Sequence, residues 1–196
     1  MIKRLFDILV SFCGLLFIFP LLIIISIIIK LTSKGPVFFR QKRVGLNMDI
    51  FKIFKFRTMK VNSDKLGLLT VGDSDARITK IGYFLRKSKL DELPQLINVL
   101  IGDMSFVGPR PEVKKYVDLY TNAQKVIFKV RPGITDAASI AYRDENVILA
   151  TKIDPEKYYV ETIMPHKLKI NLDYLQKRSF FSDIGIILKT FKVIIK

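Results

Sequence analysis

Two acidic residues stand side by side in the run Ser88-Lys89-Leu90-Asp91-Glu92-Leu93-Pro94-Gln95-Leu96. Pro94 belongs early in a helix, where its missing N–H has no intrahelical acceptor to lose, so Asp91 and Glu92 fall at a helix N-terminus. Free N–H groups and the positive end of the helix dipole favour carboxylates there and, with a metal, phosphates. The same residues also read as a plain cap, since Ser88 with Asp91 three positions on resembles a capping arrangement. Further along, Gly108-Pro109-Arg110-Pro111-Glu112 holds one arginine between two prolines. Gly108 supplies backbone freedom and Arg110 has little entropy left to lose on binding, which suits a phosphate or a structural ion pair. Arg131-Pro132-Gly133 repeats the theme, and Arg86 and Arg143 are further candidates for a cationic pocket. A carboxylate pair with several arginines, one histidine (His166) and one cysteine (Cys13) describes a site for Mg²⁺ and a diphosphate better than one for acyl chemistry. The same two counts exclude a disulfide framework and a Cys/His zinc cluster.

The elements that must position these residues read as α+β, mainly helical. Residues 37–43 and 50–58 are rich in Val, Ile and Phe and flank Gly45-Leu46-Asn47, which predicts a small β-hairpin. On it Lys52, Lys55 and Arg57 form either a solvated face or, beside a membrane, a contact for phosphate. Residues 73–77 read as a polar turn and 78–87 as a short helix or extended connection. Helix is expected over 88–100, 122–130 and most of 155–174, with no internal repeat.

The chain has 196 residues and a net charge of +15, from 33 Lys and Arg against 18 Asp and Glu, so its partner is itself negative. The excess sits at the two ends, which are also the apolar ends, whereas a nucleic-acid reader more often carries its basic stripe on the folded body. Residues 8–29 carry no charge, and as one helix they would reach about 33 Å, enough to span a bilayer. Pro20 divides that run into arms too short to span alone. Lys3 and Arg4 before it and Lys30, Lys34 and Arg40 after it draw both ends toward the cytoplasm. These features predict a retained re-entrant helix-break-helix anchor over residues 1–34, with a single span as the alternative, and Asp7 either paired to Lys3 or Arg4 or set at headgroup level. Residues 183–196 set Lys189, Lys192 and Lys196 on one helical face among isoleucines. That pattern fits an interfacial helix on anionic lipid as well as a core helix, and the first segment favours the membrane.

With these residues set out, the chain resembles the bacterial sugar transferases, also called monotopic phosphoglycosyl transferases. The resemblance is carried by Lys3-Arg4 with Asp7, the apolar segment broken by Pro20, Phe54-Lys55-Phe56-Arg57-Thr58-Met59, Leu90-Asp91-Glu92-Leu93-Pro94-Gln95, Asn98-Val99-Leu100, residues 102–111 and Val130-Arg131-Pro132-Gly133-Ile134-Thr135. It covers nearly the whole chain. It implies a re-entrant anchor over 1–34 and a catalytic domain over 35–196 on the cytoplasmic face of the bacterial inner membrane. It further implies transfer of a phosphosugar from a UDP-sugar to undecaprenyl or another polyprenyl phosphate, with release of UMP. Asp91 would be the nucleophile that carries the phosphosugar covalently, and Glu92 would help hold Mg²⁺ or handle a proton. Arg57, Arg86, Arg110, Arg131 and Arg143 would bind phosphate. The implied partners are the two substrates and anionic lipid, without nucleic acid and with a homodimer left open. Two departures matter: Phe19 precedes the membrane proline where many members have Ser, and Asp136-Ala137-Ala138-Ser139, a sugar or nucleotide contact by the resemblance, follows Thr135 where many continue Gly-Trp-Ala-Gln. The competing reading is a non-catalytic scaffold that binds anionic lipid and phosphorylated ligands.

Overall fold

A computed structural model describes residues 2–63, 67, 69–72 and 75–195. Asp73 and Ser74 of the expected polar turn, and Lys196 of the expected basic face, lie outside the described residues.

The first helix, α1 (Ile2–Thr32), runs through Pro20 as a single element. The expected helix-break-helix is therefore corrected to one continuous helix. A proline removes one hydrogen bond from the ladder, and here both flanking arms are held against the rest of the protein. The less exposed side of α1 recurs every three or four residues at Arg4, Asp7, Ser11, Gly14, Ile18, Leu22, Ile25 and Ile29. Gly14 faces Leu96, and Ile25 and Ile29 share a core with Phe56 and Leu85. The opposite side is apolar and exposed, as at Phe12, Leu16, Phe17, Ile24 and Leu31.

Strands β1 (Phe38–Val44) and β2 (Ile50–Phe56) form the expected antiparallel hairpin, in register from Phe38 opposite Phe56 to Val44 opposite Ile50. Its turn, Leu46–Met48, places Asn47 and Met48 at positive φ. Helix α2 (Lys80–Lys87) opens on Thr79, whose hydroxyl accepts the Gly82 N–H at 3.0 Å. The helix expected over 88–100 is in fact interrupted: Lys89 is left-handed, Leu90–Glu92 form a 3₁₀ turn, and α3 (Gln95–Ile101) begins after Pro94. Ser88 does not cap the acidic pair. Its hydroxyl donates to the Phe84 carbonyl at 2.8 Å and closes α2 instead.

The outer edge of β2 is joined to α3 by one buried amide. Asn98 accepts the Phe54 N–H at 2.8 Å and donates to the Lys52 carbonyl at 2.9 Å and to Asp103 at 3.0 Å. A two-stranded parallel sheet not expected from the sequence pairs β3 (Ser105–Val107) with β4 (Gly133–Thr135). It explains Gly108, just past β3, and Gly133, at the start of β4, better than turn freedom does. A Cβ on Gly108 would lie 2.3 Å from the Arg131 carbonyl oxygen, and one on Gly133 would lie 2.2 Å from the Gly108 nitrogen, so only glycine lets the two loops meet.

The short helices α4 (Lys114–Val117), α5 (Ala137–Ala141), α6 (Glu145–Ala150) and α7 (Pro155–Tyr158) lead through a π-turn at Tyr159–Ile163 into α8 (Met164–Gln176). Val44, Tyr116, Val117, Leu149, Tyr159, Ile163 and Leu168 form the largest core. The last helix, α9 (Phe180–Ile195), buries Asp183 and Ile186 and exposes Leu188, Lys189, Phe191 and Lys192. It is thus a core helix on one side and both apolar and basic on the other.

Candidate active site

Glu92 is the hub of the site. Its carboxylate accepts from Lys55 Nζ at 2.7 Å and from Arg110 at 2.5 Å, with a second Arg110 contact at 3.4 Å. Burial opposes the charge on Glu92, but Arg110 and Lys55 together overcome it and hold the carboxyl well below the usual range. Reciprocally, Glu92 raises Arg110. Burial dominates at Lys55 and lowers its ammonium, against the pull of Glu92.

Asp91 is the contrasting neighbour. It is buried, and its side chain makes no hydrogen bond or ion pair among the described residues. Burial raises its carboxyl, Lys55 and Arg86 pull the other way, and Glu92 adds to the rise. Arg86 donates to Thr70 Oγ1 at 2.8 Å and keeps one buried nitrogen, Nη1, without a partner. Burial lowers its guanidinium and Asp91 opposes that shift. Asp91 therefore lies within electrostatic reach of Arg86, Lys55 and Glu92. A carboxylate that is desolvated, not saturated with hydrogen bonds and ringed by cations is equipped to attack an electrophilic phosphorus.

Arg110 is presented by a loop that is itself locked. Glu112 accepts from Arg43 at 3.1 Å, from the Tyr159 hydroxyl at 2.6 Å and from its neighbour's Val113 N–H at 2.8 Å, while the Val44 N–H bonds its carbonyl. The sequence pairs neither Arg43 nor Tyr159 with Glu112, because they lie 69 and 47 positions away. For Lys55 the sequence offers a solvated face or a phosphate contact, and the structure pairs it with Glu92. The signal that it turns inward was its place on one side of β2 with Phe51 and Ile53, by strand alternation.

The other expected phosphate ligands lie elsewhere. Arg57 is buried at the end of α1, donating to the Ser33 carbonyl at 2.9 Å and hydroxyl at 2.6 Å, with Nη1 against Gly35. Arg131 donates to the Gly102 carbonyl at 2.7 Å, and Arg4 to those of Val99 at 2.6 Å and Leu100 at 3.0 Å, so both close the C-terminal end of α3. Arg143 is exposed in the turn between α5 and α6. The expected pairing of Asp7 with Lys3 or Arg4 is corrected. Asp7 accepts the Phe106 N–H at 3.2 Å, and Lys3 bonds Asp183 and the Val107 carbonyl, because the body offers these groups a buried partner each.

Among the described residues no three His, Cys, Asp or Glu side chains cluster as a metal cage. Glu92 is already engaged by two cations, which leaves Asp91 as the carboxylate open to a metal. That donor set fits Mg²⁺ only as an ion carried largely by substrate phosphates, the usual manner for this metal.

A family model described as "Bacterial sugar transferase" matches residues 1–196. The chain is 40% identical over 192 residues to a UDP-glucose:undecaprenyl-phosphate glucose-1-phosphate transferase of Klebsiella pneumoniae, covering 96% of this chain and 39% of that protein. It is 36% identical over 199 residues to a UDP-N-acetylgalactosamine-undecaprenyl-phosphate N-acetylgalactosaminephosphotransferase of Aeromonas hydrophila, covering 99% and 44%. With the exopolysaccharide production protein ExoY of Rhizobium meliloti it shares 34% identity over 205 residues, covering 97% and 84%. The chain thus spans about two-fifths of the length of the first two relatives.

Proposed function

The chain belongs to the bacterial sugar transferase family, and from that premise we propose that it transfers a sugar-1-phosphate from a UDP-sugar to undecaprenyl or a related polyprenyl phosphate. The observation that carries the reading is the division of labour between adjacent carboxyls: Glu92 holds Lys55 and Arg110, and Asp91 is left without a hydrogen bond beside Arg86. In the first step a carboxylate oxygen of Asp91 bonds to the sugar-bearing phosphorus. The bond from that phosphorus to the bridging oxygen breaks, and UMP leaves with the electron pair. In the second step an oxygen of the lipid phosphate bonds to the same phosphorus and Asp91 is released. Neither step requires a proton from the protein. Arg110, Lys55 and the free nitrogen of Arg86 offset the charge of the diphosphate. Mg²⁺, bound with the diphosphate and approached by Asp91, would supply further neutralisation.

The reading also gives the protein a membrane. Helix α1 is long and apolar enough to cross one by length and composition, and its outward side is greasy throughout. Both ends of α1 touch the same body, through Lys3 and Arg4 at one end and Ile29 and Ser33 at the other. A helix of 31 residues extends about 46 Å, so a body outside the bilayer could not hold both ends of a straight span. This supports a monotopic arrangement with both ends on one side; that the membrane is the bacterial inner one, with the body at its cytoplasmic face, is proposed from the family alone.

The test is to incubate the purified protein with Mg²⁺ and a panel of UDP-sugars without acceptor, recording intact mass and UMP. The expected result is a gain of one phosphosugar with one equivalent of UMP, both absent in Asp91→Asn. UMP release by a normally folded Asp91→Asn would overturn the nucleophile. Binding of anionic vesicles with no adduct and no UMP on any donor, even with acceptor present, would favour the scaffold reading.

A further inference from the structure

The proposed reaction brings two phosphates to Asp91 in turn, the donor's diphosphate and a lipid-borne phosphate monoester. The three cations placed around the acidic pair are each tied to another group: Lys55 and Arg110 to Glu92, and Arg86 to Thr70. Lys89 is not. Its side chain is exposed and its ammonium makes no hydrogen bond or ion pair among the described residues, yet it lies close enough to Asp91 to favour the ionised carboxylate.

The backbone holds it there. Lys89 adopts φ 58° and ψ 14°, its N–H donates to the Arg86 carbonyl at 3.2 Å, and its carbonyl accepts the Glu92 N–H at 3.2 Å. The left-handed conformation costs a residue with a Cβ about 1–2 kcal/mol, least for Asn and nothing for Gly, so the backbone does not explain a lysine. The next residue, Leu90, packs against the core that Ile25 and Ile29 of α1 form with Leu85. Lys89 therefore stands one residue from the contact between the apolar helix and the acidic turn, where a bilayer covering α1 would present a lipid phosphate.

Resting on the function proposed above, we infer that Lys89 receives the phosphate monoester of the polyprenyl acceptor and guides it to the phosphosugar on Asp91. It contributes charge only. The acceptor oxygen forms the new bond to phosphorus, the bond from phosphorus to Asp91 breaks, and the lysine keeps its protons.

Three variants separate charge from backbone: Lys89→Asn and Lys89→Gly remove the charge while suiting the left-handed turn, and Lys89→Arg keeps the charge. Adduct formation from donor alone is followed first by intact mass, and polyprenyl phosphate is then titrated against the preformed adduct. The expected result is wild-type adduct formation in all three, with KM for the acceptor raised about tenfold to a hundredfold in Asn and Gly, as for loss of one charge-assisted hydrogen bond, and largely restored in Arg. Normal discharge in Lys89→Asn would overturn the inference. Slower adduct formation would instead assign Lys89 to the donor diphosphate. A loss of discharge matched by weaker sedimentation with anionic vesicles would assign it to phospholipid headgroups. If the wild-type protein forms no adduct, the underlying reading fails, a result distinct from all of these.

Discussion

Burial acts on Asp91 and Glu92 alike, and what separates the two carboxyls is the cations each one faces. Glu92 is ionised and paired, with its carboxyl held low. Its stabilisation is fully present above the unfolded carboxylate value, near 4.3, and is lost as pH falls through the lower folded value. Asp91 has its carboxyl raised, so its ionisation costs stability as pH rises from about 3.9 through the folded value. Asp91→Asn is therefore expected to lose the covalent adduct while melting at a higher temperature than wild type at neutral pH, measured side by side in detergent. For the same reason the acidic limb of the UMP burst should lie above the ordinary aspartate range. In Glu92→Gln that limb should move to lower pH, because the negative neighbour is gone and Lys55 is freed to act on Asp91. A shift in the opposite direction would show that Glu92 does not set the charge on Asp91.

Among the elements, α3 is the one that fastens the site to its surroundings. Its start follows the acidic turn, its middle is bonded to β2 through Asn98, and its end is closed by Arg4 and Arg131. Asn98→Ala would leave the Phe54 N–H and the Lys52 carbonyl short of their side-chain partner in a buried seam. The expected loss is about 2–6 kcal/mol, at about 1–3 kcal/mol for each unsatisfied group, read by thermal or denaturant melting. Glycines offer a sharper contrast. Gly133→Ala drives a Cβ into the Gly108 backbone and should cost about 3 kcal/mol or more, as severe overpacking does. Gly185→Ala in α9, with nothing within 4 Å of its Cβ, should gain about 0.5–1 kcal/mol. Equal effects of the two substitutions would contradict the parallel pairing of β3 with β4.

For the whole molecule, the decisive feature is that the apolar helix is not a detached anchor. Lys3 reaches Asp183, which also accepts the Tyr174 hydroxyl, so α1, α8 and α9 meet at one buried carboxylate. The exposed Phe181, Leu188 and Phe191 of α9 and the outward side of α1 are the apolar surfaces a bilayer would cover. Single cysteines in a Cys13→Ala background at Ile2 and at Lys34 are expected to react with a membrane-impermeant maleimide from the same side in oriented vesicles. Labelling from opposite sides would replace the monotopic arrangement with a span. In addition, Asp183→Asn should loosen both terminal helices together, seen as faster amide exchange in residues 180–193 and at the start of α1.

The hairpin, the helix start near Pro94, the rigid Arg110 loop and the long apolar segment were legible in the sequence, because each depends on neighbours within a few residues: alternation, a proline's missing donor, or an uncharged run, whereas the separate 3₁₀ turn at Leu90–Glu92 was not. The resemblance in the run from Leu90 to Pro111 added the chemistry. What only the tertiary structure decided is which charges meet. Lys55 and Arg110 come to Glu92 from 37 and 18 positions away, Arg57 and Arg131 turn to backbone carbonyls, and Asp7 finds the Phe106 N–H 99 positions on. The unbroken course of α1 through Pro20 and the pairing of β3 with β4 belong to the same class. The physical reason is common to all of them. A buried polar group takes whichever complementary partner the packed chain brings within 3 Å, and local pattern carries no record of that distance.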